Sequence, residues 1–204
     1  MLANNCFFVL ASYIRPVSKA VTMKVKVENI VATITLGQNL DLKHITKHLD
    51  GASKPPRFPG VVYKLIKPKV AMLLFRTGIV ICSGALSKKD ITSAVDKLIK
   101  ELRKCRVRIK KKPIIKVQNI VASSDLSFNV NLDVLATNAF NTEYEPERFP
   151  GLVFRLDEPK TVMLIFRSGR IIITGAKTQT AAQTSAEKTQ EMVKRNNAIL
   201  TGLQ

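Results

Sequence analysis

Four phenylalanines in this chain stand directly beside arginines, as Arg57-Phe58, Phe75-Arg76, Arg148-Phe149 and Phe166-Arg167. Phe58 and Phe149 lie in Arg-Phe-Pro-Gly loops, where burying a ring is hard to arrange. Phe75 and Phe166 each close a β-forming run, just before Arg76-Thr77-Gly78 and Arg167-Ser168-Gly169. A local core plug is one use for such a ring. The other is a wedge into a base step from the minor groove, which needs a bulky ring on a stiff mount and cations nearby for phosphate. Asn29 and Asn119 add a second chemistry. Each sits inside a strand-like run, where an amide seldom occurs without a partner. It either ties two strands together or donates to the adenine N3 and thymine O2 acceptors that the minor groove displays.

All of these residues occur in register twice. Arg57-Phe58-Pro59-Gly60 returns 91 positions later as Arg148-Phe149-Pro150-Gly151, and Leu73-Leu74-Phe75 returns as Leu164-Ile165-Phe166. Asn29-Ile30-Val31-Ala32 returns after 90 positions as Asn119-Ile120-Val121-Ala122, and Ser83-Gly84-Ala85 corresponds to Thr174-Gly175-Ala176. Two copies of such length make a duplicated domain with pseudo-twofold symmetry, since a solenoid uses shorter and more numerous repeats. The expected organisation is an N-terminal extension over 1–22, a first repeat over 23–112 and a second over 113–204. The extension contains an apolar run, Cys6 to Ile14, with no basic residue ahead of it. It reads as a flexible arm or as a stretch ahead of a start at Met23, not as a signal peptide.

Within each repeat the elements that must carry these side chains can be read from periodicity. Lys24 to Thr35 alternates as a strand, and Asp41 caps a short helix from Leu42 to Leu49. Gly51 to Pro59 is turn-rich, and strands follow at Val61–Ile66, Val70–Phe75 and Ile79–Ser83. Ser87 and Asp90 form a helix-start pattern, after which Ile91, Ala94, Val95, Leu98 and Leu102 mark one apolar face. The second repeat follows the same plan: strand Ile114–Ser123, short helix Leu132–Ala139 and loop Asn141–Pro150. Strands Leu152–Leu156, Val162–Phe166 and Ile171–Thr174 come next, then a Thr/Gln/Ala-rich helix over Thr180–Leu200. Counting by twos from Phe75 collects Ala71, Leu73, Ile79, Ile81 and Ser83; from Phe166 it collects Val162, Leu164, Ile172 and Thr174. Helices on one side of such a sheet leave this face free for a ligand.

Charge identifies the class of ligand. The chain has 33 Lys and Arg against 15 Asp and Glu, a formal net charge of +18. Residues 1–112 hold 23 of the basic residues and 6 of the acidic ones, so nearly all the excess is in the first half. Such an excess points to a polyanion, nucleic acid foremost, because binding releases condensed counterions. Lys100 to Lys116 alone contains nine basic residues against Glu101. Cys6, Cys82 and Cys105 are scattered and form no Cys-x-x-Cys pair, which argues against a disulfide framework or a zinc site and suits a reducing compartment.

These motifs together closely resemble the TATA-box-binding protein family of general transcription initiation factors, over about Lys24 to the C-terminus and in its archaeal-type form. The resemblance implies an α+β fold: a saddle whose underside is one antiparallel sheet of about ten strands, with four helices on its convex face. It implies binding and kinking of A·T-rich promoter DNA, with Phe58, Phe75, Phe149 and Phe166 intercalating. Asn29, Val31, Asn119 and Val121 would lie at the groove centre, with Ser83 and Thr174 facing it. Arg57, Lys64, Lys69, Arg148, Arg155 and Lys160 would contact phosphate. The acidic loop Glu143, Glu145 and Glu147 would dock transcription factor B, which bridges to RNA polymerase. No cofactor or metal is implied, and the expected location is the nucleoid of an archaeal cytoplasm or, for a eukaryotic host, the nucleus.

Some residues depart from the family pattern. Ser83 replaces the usual threonine, Glu28 a common glutamine, and Leu86 the usual lysine. Two rival readings remain at this stage: a basic ribosomal-type RNA-binding protein, and a non-catalytic guiding domain of a nucleic-acid enzyme. An enzyme proper is not indicated. His44 and His48 have the i, i+4 spacing of two zinc ligands, but they lack a nearby third ligand and the glutamate of a protease motif, and read as a solvated helix face.

Overall fold

The computed structural model describes residues 23–200, so the N-terminal extension lies outside the described residues. The first repeat runs β1 (Lys26–Thr35), α1 (Leu42–His48), β2 (Ala52–Ser53), β3 (Val61–Leu65), β4 (Val70–Leu74), β5 (Ile79–Ala85) and α2 (Lys88–Lys104). The second runs β6 (Ile114–Asp125), α3 (Leu132–Asn138), β7 (Thr142–Glu143), β8 (Leu152–Leu156), β9 (Thr161–Ile165), β10 (Arg170–Ala176) and α4 (Gln179–Arg195). All ten strands join one antiparallel sheet in the order β2-β3-β4-β5-β1-β6-β10-β9-β8-β7. The order is a palindrome of the two repeats, joined through β1 and β6.

Strand alternation decides which side chains meet the helices. Ile30, Ala32 and Ile34 of β1 are buried, as are Met72, Leu74, Val80 and Cys82 of β4 and β5. Their neighbours Asn29, Val31, Ala71, Leu73, Ile81 and Ser83 are only partly covered and share the other face. That face is open, as the period-2 reading of the sequence expects.

Helix α2 begins where the sequence places it. The Ser87 hydroxyl accepts from the Asp90 N–H at 3.1 Å, and the Asp90 carboxylate accepts in return from the Leu86 N–H at 3.1 Å. Its five predicted apolar positions are all buried. The corresponding face of α4 carries Ala182, Ser185, Ala186, Thr189 and Val193. Small size and hydroxyls are tolerated there because each buried hydroxyl is bonded: Ser185 Oγ lies 2.8 Å from Thr161 Oγ1, and Thr189 Oγ1 donates to the Ser185 carbonyl at 2.7 Å.

The sequence reading differs from the structure in three places. The turn-rich stretches contain the two-residue edge strands β2 and β7, too short for any periodicity to show. Helix α4 stops at Arg195, because Asn197 takes a left-handed φ of 53° and Ala198 N–H turns back to the Val193 carbonyl. His44 is half-buried, with Nε2 2.7 Å from the Cys105 carbonyl oxygen, so only His48 belongs to a solvated face. Among the described residues no group of three metal-binding side chains occurs.

Candidate nucleic-acid interface

At the centre of the open face Ile30 pairs with Ile120, Asn29 with Val121, and Val31 with Asn119. The local pseudo-twofold axis therefore passes between β1 and β6, and the two asparagines and two valines form a symmetric set around it. β-bulges shift the register on each side of the axis, in β1 at Glu28 where it pairs with β6, in β5 between Cys82 and Ala85, and in β10 between Ile173 and Ala176.

The bulges have a chemical use. Gly84 and Gly175 take φ of 99° and 91°, which exposes their N–H groups to the neighbouring strand. Each N–H donates to an asparagine at 2.7 Å, Gly84 to Asn29 and Gly175 to Asn119. A backbone N–H can only donate, so the asparagine atom facing it must be Oδ1, and Nδ2 is directed onto the open face. Asn119 Nδ2 donates to Thr174 Oγ1 at 3.1 Å, and the matching Asn29–Ser83 distance is 3.5 Å. Serine leaves the first-repeat amide more loosely held. Both amides tie strands together, and each Nδ2 carries a second hydrogen beyond the one aimed at the neighbouring hydroxyl.

Paired aromatics stand toward each end of this face. The ring centroids of Phe58 and Phe75 are 5.9 Å apart at 60°, and those of Phe149 and Phe166 are 5.9 Å apart at 64°. The glycine of each Arg-Phe-Pro-Gly loop lies under its pair. A Cβ on Gly151 would come within 2.7 Å of the Phe149 ring and 3.1 Å of the Phe166 ring, and one on Gly60 within 3.0 Å of the Phe58 ring. Only glycine lets the loop bring both rings together. Phe149 is still 38 % exposed, far from a core plug. Between the pairs run half-covered apolar side chains, Leu73 and Ile81 on one wing and Leu164 and Ile172 on the other.

The six predicted phosphate positions are all exposed. Lys64 and Arg155 lie on the open side of β3 and β8, whereas Lys69 and Lys160 sit at the turns entering β4 and β9. Two of the six are not free cations. Arg148 is 2.8 Å from the Glu145 carboxylate, and Arg155 is 3.4 Å from that of Glu143. The Glu145-x-x-Arg148 spacing carried this signal in the sequence; the Glu143–Arg155 pair needs the β7–β8 pairing and carried none. Glu147 forms no ion pair among the described residues.

Glu28 is pinned on the bulge of β1. Its carboxylate accepts from Ser123 Oγ at 2.7 Å and from Lys26 at 3.2 Å, and these bonds, with Arg170 nearby, lower its pKa. The charge of this carboxylate, which stands where the family commonly has a neutral glutamine, is thus partly offset within the fold. Phe140 was missed: it is 89 % exposed, two residues ahead of the acidic edge strand β7. Its counterpart 90 positions earlier is Asp50, so the repeat comparison gave no hint of it.

Comparison with known proteins agrees with this geometry. The family described as "Transcription factor TFIID (or TATA-binding protein, TBP)" matches residues 24–105 and again 114–196. The TATA-box-binding protein of Methanocaldococcus jannaschii is 44 % identical over 177 residues, covering 86 % of this chain and 97 % of its own length. That of Archaeoglobus fulgidus is 44 % identical over 171 residues, covering 82 % and 93 %. The solved structure of Methanococcus jannaschii TBP superposes with a TM-score of 0.80 at 44 % identity, covering 84 % of this chain and 99 % of that one. With its duplicated halves, ten-stranded sheet and four helices, this chain belongs to the TATA-box-binding protein family, a family of transcription factors and not of enzymes.

Proposed function

We propose that the open face binds the minor groove of A·T-rich, TATA-like promoter DNA and that the two phenylalanine pairs kink the duplex by entering base steps at either end of the site. The observation that carries this reading is the symmetric arrangement of two ring pairs around a central pair of oriented amides. The amides offer donors to the A·T acceptors, and a guanine amino group would confront them with a donor. The apolar wings match the sugar edges of an opened groove. Arg57, Lys64, Lys69 and Lys160 are placed to hold phosphate, and Arg148 and Arg155 join them by exchanging a carboxylate for a phosphate. Such exposed ion pairs hold only about 0–1 kcal/mol, so the exchange is easy.

The acidic loop is the docking site for transcription factor B, through which RNA polymerase is recruited. Three features support a protein partner here: the carboxylates of Glu143, Glu145 and Glu147, the unpaired outer edge of β7, and the exposed ring of Phe140. Aromatic anchors of this kind concentrate binding energy. In an archaeal cell the site of action is nucleoid DNA in the cytoplasm.

The test is a bend measurement by energy transfer between end labels on an A·T-rich duplex. Phe58→Ala with Phe75→Ala lowers the affinity and reduces the bend, while low-salt binding to any duplex persists. A full bend with both rings removed refutes intercalation by this pair. Preference for structured RNA over the duplex refutes the DNA reading itself.

A further inference from the structure

The segment that joins the two repeats is densely charged, and none of its cations belongs to the open face described above. Arg106, Arg108, Lys110, Lys111 and Lys112 are exposed, and among the described residues none of them has an acidic partner. The backbone beneath them is nonetheless held. Arg106 takes a left-handed φ of 61°, which turns the chain out of α2, and the Val107 N–H returns to the Leu102 carbonyl at 2.8 Å. Beyond this turn the Gln38 side chain acts as a strand partner. Its Nε2 donates to the Arg108 carbonyl at 3.0 Å, and its Oε1 accepts from the Lys110 N–H at 3.3 Å. A carbonyl and the N–H two residues on face the same way when the chain between them is extended. Val107 and Ile109 accordingly pack against the core, while Arg108 and Lys110 stand outward. The aliphatic stem of Lys111 runs along Gly37, where an added Cβ would lie 3.5 Å from Cδ.

The place of this ridge ties it to the groove. Ile79 pairs with Thr35 and Thr35 with Ile114, so the start of β5, the end of β1 and the start of β6 make one rim of the sheet. The ridge leads into β6 on that rim. The turn from Phe75 to Gly78 stands on the same rim, and the Leu36 N–H donates to the Gly78 carbonyl at 2.9 Å. From β4, which Phe75 follows, to β6 is three strand spacings, about 14 Å at about 4.8 Å each. Cations at that distance reach the backbone of a duplex held by Phe58 and Phe75. The second repeat is an internal control. Asn197 and Ile199 stand where Arg106 and Arg108 do, and Phe128 stands where Gln38 does. Backbone contacts hold the path there: Val130 pairs with Ile199, and the Leu200 N–H donates to the Asn129 carbonyl at 2.9 Å. The fold needs the route but not its charges.

We infer that the linker is a second phosphate site, a fixed cationic ridge that holds the DNA backbone beside the first-repeat phenylalanine pair. The inference rests on the reading of the open face as the groove-binding face. Because the segment is already ordered, little conformational freedom is lost when phosphate arrives. Phosphates are the same in every sequence. The ridge therefore adds affinity and salt dependence, and leaves the A·T preference to the amides and rings.

The test is a salt series by fluorescence anisotropy, on the full chain, with an A·T-rich and a G·C-rich duplex. The ridge variant combines Arg108→Gln, Lys110→Gln and Lys111→Gln. The control combines Lys88→Gln, Lys89→Gln and Lys100→Gln, which removes the same charge from the exposed outer side of α2, across a helix about 10–12 Å thick. For the ridge variant the slope of log affinity against log salt becomes shallower by about 1.8, about 0.9 for each of two phosphates. Its A·T affinity is tenfold or more weaker at about 0.1 M salt, with the A·T to G·C preference unchanged. The control keeps the slope of the unmodified chain. Lys110→Gln with Lys112→Gln leaves the stem on Gly37 in place, shifts the slope by about 0.9, and decides the matter if the triple variant does not fold. An unchanged slope in the ridge variants overturns the proposal and leaves the ridge to a protein partner. Equal flattening in the control reduces the effect to bulk charge and also overturns it, as does a lost A·T preference. The groove reading fails separately: A·T binding is then insensitive to Phe58→Ala with Phe75→Ala, whatever the ridge variants do.

Discussion

Replacing Asn119 with aspartate tests the central amide with almost no change of shape. One carboxylate oxygen still accepts from the Gly175 N–H, now at 2.7 Å from Asn119 Oδ1, so the strand contact is kept and becomes charge-assisted. What is lost is Nδ2. One of its hydrogens is already committed to Thr174 Oγ1 at 3.1 Å, which leaves one for the groove. Removing a donor and leaving a buried base acceptor unpaired costs about 1–3 kcal/mol, and the new oxygen facing N3 or O2 places the cost toward the top of that range. At about 1.4 kcal/mol per tenfold, Kd for an A·T-rich duplex rises roughly 5- to 150-fold. Binding to a G·C-rich duplex at the same salt changes far less, since the guanine amino group can donate to the carboxylate. Competition anisotropy with both duplexes in one buffer gives the ratio directly. An unchanged A·T to G·C preference, with melting intact, refutes the assignment of this amide to base reading and leaves it a strand tie.

Reversing charge on the acidic loop, Glu145→Arg with Glu147→Arg, frees Arg148 from its partner and leaves duplex binding equal or tighter, while the ternary complex with transcription factor B disappears; a supershift that survives places that partner elsewhere. Cys82 is fully buried and its thiol pKa is pushed up to about 11 by desolvation, so the reactive thiolate is scarce at neutral pH. Its alkylation rate follows global unfolding across a denaturant series, and fast labelling of native protein contradicts the packing described. Leu98→Ala, at a fully buried site of α2, costs about 2–5 kcal/mol in chemical denaturation. The corresponding Thr189→Ala in α4 removes far less volume and costs less; equal losses would mean that the two helix faces are not packed as described.

Much of the fold was legible because the chain states it twice. A strand reading at Val70–Phe75 gains force when Val162–Phe166 repeats it, and the apolar face of α2 was readable at all five positions from helical spacing. The weak places have physical causes. Strands β2 and β7 are held by pairing with β3 and β8, a tertiary fact invisible to a two-residue window. The end of α4 is set by a left-handed asparagine, within a polar run that gives no hydrophobic stop signal. For the site, spacing brought out the phenylalanines and asparagines but not why the amides face outward. That depends on the positive φ of Gly84 and Gly175 on the neighbouring strands β5 and β10. Nor could it show that Arg155 is matched with Glu143 across the β7–β8 pairing.

The axis between Ile30 and Ile120 has a consequence for heading. A clamp with two equal halves, laid on a groove whose A·T and T·A steps look alike, fits equally well facing upstream or downstream. A tenfold excess of one heading needs about 1.4 kcal/mol of difference between the halves. The duplication supplies little of it: the rings, amides and bulge glycines are matched pair for pair. The difference must come from positions where the copies diverge, among them Ser83 against Thr174, Glu28 against Gln118, and Lys54-Pro55-Pro56 against Glu145-Pro146-Glu147. Two of these are small changes on the groove side. The third is a reversal of charge at the outer loop, where a partner rather than the duplex would sense it. On the proposed function, direction along DNA is settled chiefly by what docks on the unequal ends.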